Sequence, residues 1–348
     1  MTAGTKRLGF FTRLLDDVGP AERYRLAIEQ IVWAEQQGYD SAWVAQHHFD
    51  ADEGGLPSPF VLLAQAADRT SRIRLGTGVV TLPLENPIRV AEDAAVLDLL
   101  SGGRLEIGVG TGGTPSAFAA FGLDSAERGE IFARHLAVML TAWRGQSLSA
   151  GEGARIYPAA PHLPARLWQA TFSVGGGTRA GKAGDGLMLS RTQPRPADAP
   201  QARLADIQDP IIDAYLEALP AGAEPRILGS RSVFVADDRR EALRHAERGL
   251  RRIAARLASL GHAFPDNSVE GMIATMDVHI GTADEVIASL QADKTLDRVT
   301  DLVFQVHSVD PPHPLILRSI ELAARQVAPA LGWPGAAHIP KKRIAVVP

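Results

Sequence analysis

Short apolar strands alternate with amphipathic helices along most of this 348-residue sequence, and that alternation restricts the possible folds more than any other feature. Strand, helix and strand with short connections form right-handed βαβ units, and repeated units build a parallel sheet. Eight units in a chain of this length predict an α/β fold, the (β/α)8 TIM barrel, with a doubly wound open sheet as the alternative. The strands are predicted at residues 8–12, 42–45, 73–82, 104–110, 167–171, 186–190, 227–235 and 298–307.

The remaining segments fit one domain that spans residues 1–348. Asn86 followed by Pro87 predicts a helix start, since asparagine caps the first turn and proline suits its first position. Residues 144–164 are rich in Gly, Ala and Pro, which predicts an insertion in a βα loop. The sequence from about residue 332 to 348 predicts a C-terminal extension and not a ninth unit. Other helices are predicted from Pro20 onward and near 60–68, 131–143, 200–219, 238–260, 282–292 and 314–330.

Composition excludes several classes of function. The net charge is −4, from 36 basic and 40 acidic residues, so no basic surface for nucleic acid is expected. The sequence has no cysteine, which excludes disulfides, thiolate metal sites and cysteine nucleophiles. No run of 18 apolar residues occurs, so we expect no membrane span and a cytoplasmic protein.

Two adjacent histidines, His47 and His48, directly follow the second predicted strand. The carboxyl ends of barrel strands are where TIM barrels hold their chemistry. Successive strand residues point to opposite faces, so if the strand continues this far only one ring faces the barrel mouth. The pair lacks the spacing that would put two imidazoles on one ion, so no metal site is predicted. The alternative is that both histidines are structural.

Two glycine-rich segments follow predicted strands. In Ser173-Val-Gly-Gly-Gly-Thr178, small residues at a strand-to-helix turn let backbone N–H groups approach an anion, which predicts a phosphate site. Arg179 and Arg191 lie close in sequence and could add positive charge. Gly108-Val-Gly-Thr-Gly-Gly-Thr114 could admit a flat ring close to the backbone, or it could simply be a flexible loop.

Five motifs in order resemble one known family. The sequence is similar to the bacterial luciferase-like, flavin-dependent monooxygenases and oxidoreductases over nearly its whole length, most clearly over residues 8–125 and 167–190. The motifs that carry the resemblance are Gln46-His-His-Phe49, Gly76-Thr-Gly-Val-Val-Thr-Leu-Pro83, Asn86-Pro-Ile-Arg89 with Ala91-Glu-Asp93, Leu99-x-Ser101-x-Gly103-Arg104 and Ala180-Gly-Lys-Ala-Gly-Asp-Gly186.

The resemblance implies a TIM barrel that binds reduced FMN, or the deazaflavin F420 in one branch, at the carboxyl face of the sheet. His47 takes the position of the family histidine at the reactive edge of the flavin, and is the implied catalytic residue. Gln46 stands where the family has a glutamate. The implied flavin ligands are Gly78 and Val79, joined by a non-proline cis peptide in a strand-three bulge, with Gly110, Thr111, Ser173, Gly175, Gly176, Gly177 and Thr178.

Two of these positions depart from better-known members. The family's reactive-thiol position falls on Gly110, and Thr111 stands where light-emitting members carry a phosphate-binding arginine. The resemblance therefore places the phosphate on the loop at Ser173. Trp43, Phe49 and Trp168 are predicted either as apolar walls of the site or as core, and residues 144–164 and 191–200 as lids over the barrel mouth.

The predicted function is an FMN-dependent monooxygenase that uses reduced flavin and O2 to oxidise a small organic substrate. The alternatives are an F420- or FMN-dependent hydride-transfer oxidoreductase, a catalytically idle flavin-binding protein, and a metal or sugar-phosphate barrel unrelated to flavin. The absence of a His-x-His pair weakens the metal form. We also expect a homodimer, a separate flavin reductase as a possible partner, and no nucleic-acid or membrane partner.

Overall fold

The computed structural model describes residues 6–149, 153–259 and 263–333. Within these residues it has nine strands, all paired in parallel. Most of the predicted extension therefore lies outside the described residues. The strands are β1 (Arg7–Thr12), β2 (Ser41–Val44), β3 (Arg74–Thr81), β4 (Leu105–Gly110), β5 (Leu167–Ala170), β6 (Gly186–Leu189), β7 (Ile227–Val235), β8 (His279–Gly281) and β9 (Asp301–Gln305).

Eight of the strands close into a barrel. Strands β1 to β7 pair in chain order, β7 pairs with β9, and β9 pairs with β1, so the sheet has no free edge. This closure confirms the predicted TIM barrel and excludes the open doubly wound sheet. The short strand β8 was not predicted from the sequence. It pairs only with the far end of β7, at Val233–Val235, and so adds a flap at the carboxyl rim.

Helices follow the strands and cover the barrel from outside. In the described residues the helices are α1 (Pro20–Gln36), α2 (Pro59–Arg69), α3 (Pro87–Leu100), α4 (Pro115–Ala120), α5 (Arg128–Trp143), α6 (Val174–Ala183), α7 (Leu204–Ala218), α8 (Arg239–Ser259), α9 (Val269–Thr275), α10 (Ala283–Ala292), α11 (His313–Leu322) and α12 (Ala328–Ala330). The start of α3 is as predicted, since the Asn86 side chain accepts hydrogen bonds from the N–H groups of Ile88 and Arg89.

The barrel interior is filled by large side chains, which closes it below the site. The rings of Trp43 and Trp168 meet edge to face at 5.8 Å and are almost fully buried. Gly76 and Gly186 face these rings, where a Cβ atom would collide with the indoles. The two tryptophans are therefore core residues of the barrel, while Phe49 is 76% exposed at the rim.

Candidate active site

One large cavity opens at the carboxyl rim of the barrel. Its volume is about 640 Å³, within the roughly 300–1,000 Å³ of pockets for drug-sized ligands. The loops after β2, β3, β4 and β5 all contribute to it. Of the predicted site residues, six line this cavity: His47, Gly78, Val79, Gly110, Thr111 and Ser173.

The floor of the cavity is a bulge in β3. The Gly78–Val79 peptide bond is cis, as the family resemblance predicted, and the register of β3 against β4 shifts between Thr77 and Val80. Gly110 faces this bulge from β4; a Cβ atom there would lie 2.9 Å from the Val79 side chain. Glycine at position 110 therefore lets the β4 backbone lie against the bulge.

Gln46 fixes the bulge to the loop that carries the histidines. Its Oε1 accepts a hydrogen bond from the Thr81 N–H at 2.7 Å, and its Nε2 donates to the Pro57 carbonyl at 3.0 Å. Nε2 also donates to Glu85 at 2.6 Å, a carboxyl whose pKa is raised by burial. The amide of Gln46 thus supplies both a donor and an acceptor where a carboxylate supplies only acceptors.

His47 is half-buried at the edge of the cavity and is held from one side. Its Nε2 lies 3.3 Å from Nη2 of Arg13, and since a guanidinium can only donate, Nε2 is the acceptor. We therefore assign the neutral tautomer with the proton on Nδ1. Within the described residues, the buried Nδ1 has no hydrogen-bond partner, and it lies beside Gly54.

Burial and nearby cations keep the His47 ring neutral. Burial lowers the pKa of His47 to about 3, and the charges of Arg13, Arg191 and Arg256 act in the same direction. Burial also lowers the pKa of Arg13 to about 10. Glu53 balances part of this charge, because its carboxylate pairs with Arg256. The backbone carbonyl of Glu53 also accepts a hydrogen bond from Arg13. The inner end of the cavity therefore has positive potential.

His48 does not turn away from the cavity, contrary to the expectation for a continued strand. Strand β2 ends at Val44, and Phe49 has a positive φ of 67°, so the alternation of strand residues does not extend to the histidines. Both rings line the cavity. The His48 ring packs edge to face on Phe121 at 5.0 Å, and its Nε2 has no partner among the described residues.

The start of α6 forms the opposite end of the cavity. Ser173 caps this helix, since its Oγ accepts a hydrogen bond from the Gly176 N–H at 3.2 Å. Ser173, Val174 and Gly175 are exposed, and a Cβ atom at Gly175 would meet nothing within 4 Å. The first amides of a helix carry partial positive charge and favour an anion.

Four predicted phosphate ligands, Gly175, Gly176, Gly177 and Thr178, are not among the residues that line the cavity, and the last three have packing roles. A Cβ atom at Gly176 would collide with the Thr171 side chain, and one at Gly177 would lie 2.5 Å from the Ile211 carbonyl oxygen of α7. Both glycines are buried and allow α6 to pack closely on its neighbours. Thr178 donates its hydroxyl to the Val174 carbonyl within the helix. For these residues the structure gives a packing reason that the sequence pattern did not separate from ligand binding.

Several cavity residues were missed by the sequence analysis. Arg128 lines the cavity at the start of α5, and Arg179 lines it from α6, where its Nε donates to Gln169 at 2.8 Å. Glu53 lines it from the loop after β2, and Arg13, from the loop after β1, contacts His47 behind the cavity lining. None of the four belongs to a motif, and only the closed barrel brings these loops together; Arg179 alone was noted, as a possible additional charge.

These features fit a flavin mononucleotide in size, charge and polar partners. The cavity has room for a mononucleotide, helix amides and two arginines lie at one end, and ring nitrogens of His47 and His48 without partners among the described residues lie at the other. A closed eight-stranded barrel with a large cavity at its carboxyl rim defines a TIM-barrel enzyme.

The chain belongs to the luciferase-like monooxygenase family, whose sequence model matches residues 8–298. A limonene 1,2-monooxygenase from Rhodococcus erythropolis is 26% identical over 87% of this chain and 80% of its own length. A 4-hydroxyprotoasukamycin monooxygenase from Streptomyces nodosus subsp. asukaensis is 48% identical over 100 residues, which are 29% of this chain and 27% of that protein. The matches to the first curated relatives span only about half of those proteins' length or less.

Solved structures show the same fold. The monooxygenase RslO1 from Streptomyces bottropensis has a TM-score of 0.76 at 26% identity, covering 93% of this chain and 99% of its own. The oxygenating constituent of 3,6-diketocamphane monooxygenase from Pseudomonas putida, solved in complex with FMN, has a TM-score of 0.73 at 21% identity, covering 94% and 98%. An F420-dependent secondary alcohol dehydrogenase has a TM-score of 0.69 at 19% identity, covering 94% and 99%.

Metal-binding clusters and membrane-spanning helices are both absent from the described residues. No group of three or more His, Cys, Asp or Glu side chains there has the arrangement of a metal site. Nor does any helix in the described part of the chain have the length and apolar character needed to cross a membrane.

Proposed function

We propose that this protein is an FMN-dependent monooxygenase that oxidises a small organic substrate with O2. The observation that carries the proposal is that one cavity brings together His47, the Gly78–Val79 bulge and the start of α6. These are the three places where a flavin ring, its reactive edge and its phosphate need protein contacts. The monooxygenase names of the relatives support the same reading.

The cofactor would lie across the cavity floor. Its ring would rest on the bulge between Val79 and the residues Gly110 and Thr111 at the end of β4. Its phosphate would bind the exposed amides at Val174 and Gly175 and the Ser173 hydroxyl, with Arg128 and Arg179 supplying charge. Gly176, Gly177 and Thr178 would act indirectly, by keeping α6 packed so that its first turn points into the cavity.

Reduced FMN supplies the electrons that activate O2, and the protein supplies hydrogen bonds and exclusion of water. His47 would donate from Nδ1–H, which is buried beside Gly54 in this structure, once the Gly54 loop shifts to expose it to an oxygen atom at the reacting centre. The Nε2 lone pair is engaged by Arg13, and with a pKa of about 3 the ring stays neutral at physiological pH. The surrounding positive potential lowers the free energy of negative charge that develops on oxygen.

The proposal extends to partners and assembly. One relative is named as the oxygenase component of a trigonelline monooxygenase from Acinetobacter baylyi, which supports a separate flavin reductase here. A homodimer is supported by apolar side chains that α2 and α3 leave exposed, namely Val61, Val96, Leu99 and Leu100. Light scattering would measure the oligomeric state. A cytoplasmic location and a single domain over residues 1–348 belong to the same proposal.

A hydride-transfer reaction with F420 is the second candidate. Relatives named F420-dependent glucose-6-phosphate dehydrogenases are 35% and 32% identical over 46% and 47% of this chain. The same cavity would then hold the deazaflavin and an alcohol, and no oxygen would enter the product. A flavin-binding protein without activity is the remaining alternative.

The test is oxygen transfer from labelled O2. Purified protein receives reduced FMN from a flavin reductase and is incubated under ¹⁸O2 with a panel of alkanes, aldehydes, ketones and sulfonates, and products are analysed by mass spectrometry. The proposal predicts ¹⁸O in one product. His47→Ala should lower turnover by about 10²–10⁴, while FMN affinity stays within about 10-fold.

His245→Ala, on α8, serves as the matched histidine control and should keep wild-type turnover. Full turnover in His47→Ala would remove His47 from the reaction. An unlabelled oxidation product formed with F420 but not with FMN would favour the second candidate.

A further inference from the structure

A carboxyl group behind the active-site cavity contacts one of the residues that line it. Residues Leu82–Leu84 form a short helical turn after β3, and Glu85 follows directly, before Asn86 caps α3. Gln46 lines the cavity beside His47 and is 6% exposed. The side chains of Gln46 and Glu85 meet at 2.6 Å. The turn before α3 is therefore joined directly to the wall of the site.

Gln46 is hydrogen-bonded to β3 on both sides of Val80. Its backbone N–H donates to the Val79 carbonyl at 3.4 Å, and its side-chain oxygen accepts from the Thr81 N–H at 2.7 Å. The next residue, His47, donates its backbone N–H to the Leu56 carbonyl at 3.0 Å. A shift of Gln46 therefore moves the bulge and the His47 backbone together.

The partners of the Gln46 side chain require an amide. The Thr81 N–H can only donate, whereas the Pro57 carbonyl, 3.0 Å from Nε2, can only accept. The Glu85 carboxylate is the third partner, and it also accepts only. Both N–H groups of the amide are thus engaged, and a glutamate of the same size would bring no donor.

Glu85 lies where a second negative charge is unfavourable. Burial raises the pKa of Glu85, the hydrogen bond from its partner amide opposes this, and the like charge of Asp93 on α3 adds to it. Asp93 itself pairs with Arg89 at 2.8 Å. His135 of α5 contacts the Leu82 carbonyl of the same turn at 3.0 Å. A carboxylate at position 46 would therefore meet a like charge in a half-buried place.

We infer that Gln46 and Glu85 form a matched positioning pair: the Glu85 carboxyl requires a donor at position 46, and this donor holds the bulge and the His47 loop where the flavin ring binds. The inference rests on the proposed function for its effect on flavin. The environment of the His47 ring can also be measured without flavin, so the two proposals can fail separately.

Gln46→Glu tests the pair by exchanging the donor for an acceptor of the same size. Near pH 8 both carboxyls are charged and repel, so the bulge should shift, and FMN and riboflavin should both bind at least ~10-fold more weakly than to wild type. Near pH 5.5 the two carboxyls share one proton and a hydrogen bond, so the difference from wild type should shrink to about 3-fold or less. Fluorescence quenching measures both flavins, with wild type at each pH as the reference.

Glu85→Gln added to Gln46→Glu supplies the missing donor from the opposite side. At pH 8 the double variant should bind riboflavin at least ~5-fold more tightly than Gln46→Glu alone. Glu85→Gln alone still offers an acceptor to Gln46 and should bind within about 3-fold of wild type. Gln36→Glu, exposed at the end of α1, is the matched control and should bind both flavins as wild type does.

The ¹⁵N signals of the His47 ring give a readout that needs no flavin. In Gln46→Glu at pH 8 these signals should move from their wild-type positions, and in the double variant they should return. A pair that serves stability alone would lower the unfolding temperature and leave both the His47 signals and the flavin affinities unchanged in folded protein. That result would overturn the inference.

The outcomes separate the two proposals. If wild type binds neither flavin, the proposed function fails, while a return of the His47 signals in the double variant still supports the pair. An equal loss of riboflavin affinity with and without Glu85→Gln would show that the two residues act independently and would overturn the inference.

Gln46→Met replaces Gln46→Glu if that variant does not fold. Methionine has a similar length and neither the donor nor the charge, so both flavins should bind more weakly by the same factor and the His47 signals should move. Wild-type flavin affinities and His47 signals in folded Gln46→Met would overturn the inference.

Discussion

At the scale of single residues, the hydrogen bond that Arg13 donates to His47 determines what the His47 ring can do. A histidine with an ordinary pKa could accept or donate a proton near neutral pH. Here Arg13 occupies Nε2, and burial with nearby cations lowers the pKa of His47 to about 3. His47 is therefore a fixed hydrogen-bond donor, and its protonation does not change at physiological pH.

Arg13→Met tests this role of the guanidinium. Removing a cation 3.3 Å from the ring favours the charged imidazole, so the pKa of His47 should rise by about one or more. The preference for a proton on Nδ1 should also be lost. Both are measured by ¹⁵N NMR titration of the labelled histidine rings.

Arg25→Met on the exposed face of α1 is the control and should leave the His47 titration unchanged. Because the His47 pKa lies below the range of neutral pH, wild-type turnover should show no inflection from His47 between pH 5 and 8. A wild-type ring with its proton on Nε2 would contradict the assigned tautomer.

The residues predicted from sequence were those that belong to motifs. His47 and Ser173 follow predicted strands and the Gly78–Val79 pair lies within one, and all of them reach the cavity. Arg13 lies 34 positions from His47, and no spacing rule connects them. The condition for only one histidine to face the mouth, that the strand continues to them, is not met, because β2 ends at Val44.

At the scale of elements, helix α6 separates two uses of glycine that look alike in sequence. Its first turn is exposed at Ser173 and Gly175, whereas Gly177 and Gly181 face backbone carbonyls of α7. The exposed amides near Ser173 and Gly175 are open to an anion, whereas Gly177 and Gly181 set the distance between α6 and α7. Only the packing of α6 against α7 distinguishes them.

Gly175→Glu tests the anion site. The new side chain enters open space, and an acidic residue in the first turn suits the helix dipole, so thermal stability should not fall. The added negative charge should weaken FMN at least ~10-fold by repelling the phosphate, while riboflavin affinity stays the same. Fluorescence quenching of each flavin gives the dissociation constants.

Gly175→Gln has nearly the same size without the charge and should keep most of the FMN affinity. If Gly175→Glu binds FMN as wild type does, the phosphate lies elsewhere in the cavity.

Gly177→Ala tests the packing role. A Cβ atom there would lie 2.5 Å from the Ile211 carbonyl, so α6 and α7 must separate, at a cost of about 1–3 kcal/mol in the free energy of unfolding. Urea denaturation measures it. Gly175→Ala, which meets nothing within 4 Å, is the matched control and should be neutral or slightly stabilising. Equal stability of the two variants would show that α7 yields without cost.

The length of an element decides whether its sequence pattern predicts it. The eight barrel strands were predicted because each is a run of apolar residues between turn signals. Strand β8 has three residues, and helices α4 and α9 have six and seven, too short for a periodic pattern to be read. Of these, α4 lines the active-site cavity through Ala117 and Phe118, so it matters more to the site than to the barrel.

At the scale of the whole molecule, closure of the barrel gathers residues that are far apart in the chain. Parallel strands put all their carboxyl ends at one rim, and the loops there supply the active-site cavity. Strand alternation was enough to predict this architecture. The size and charge of the cavity were not predictable, because they depend on loop conformations and on side chains contributed by separate units.

We propose that the rim cavity binds a flavin mononucleotide, and equilibrium titration of the purified protein with FMN, riboflavin and F420 under the same conditions tests this. FMN should bind at least ~10-fold more tightly than riboflavin, which lacks the phosphate, and more tightly than F420. Binding of F420 without binding of FMN, or equal affinity for FMN and riboflavin, would contradict it.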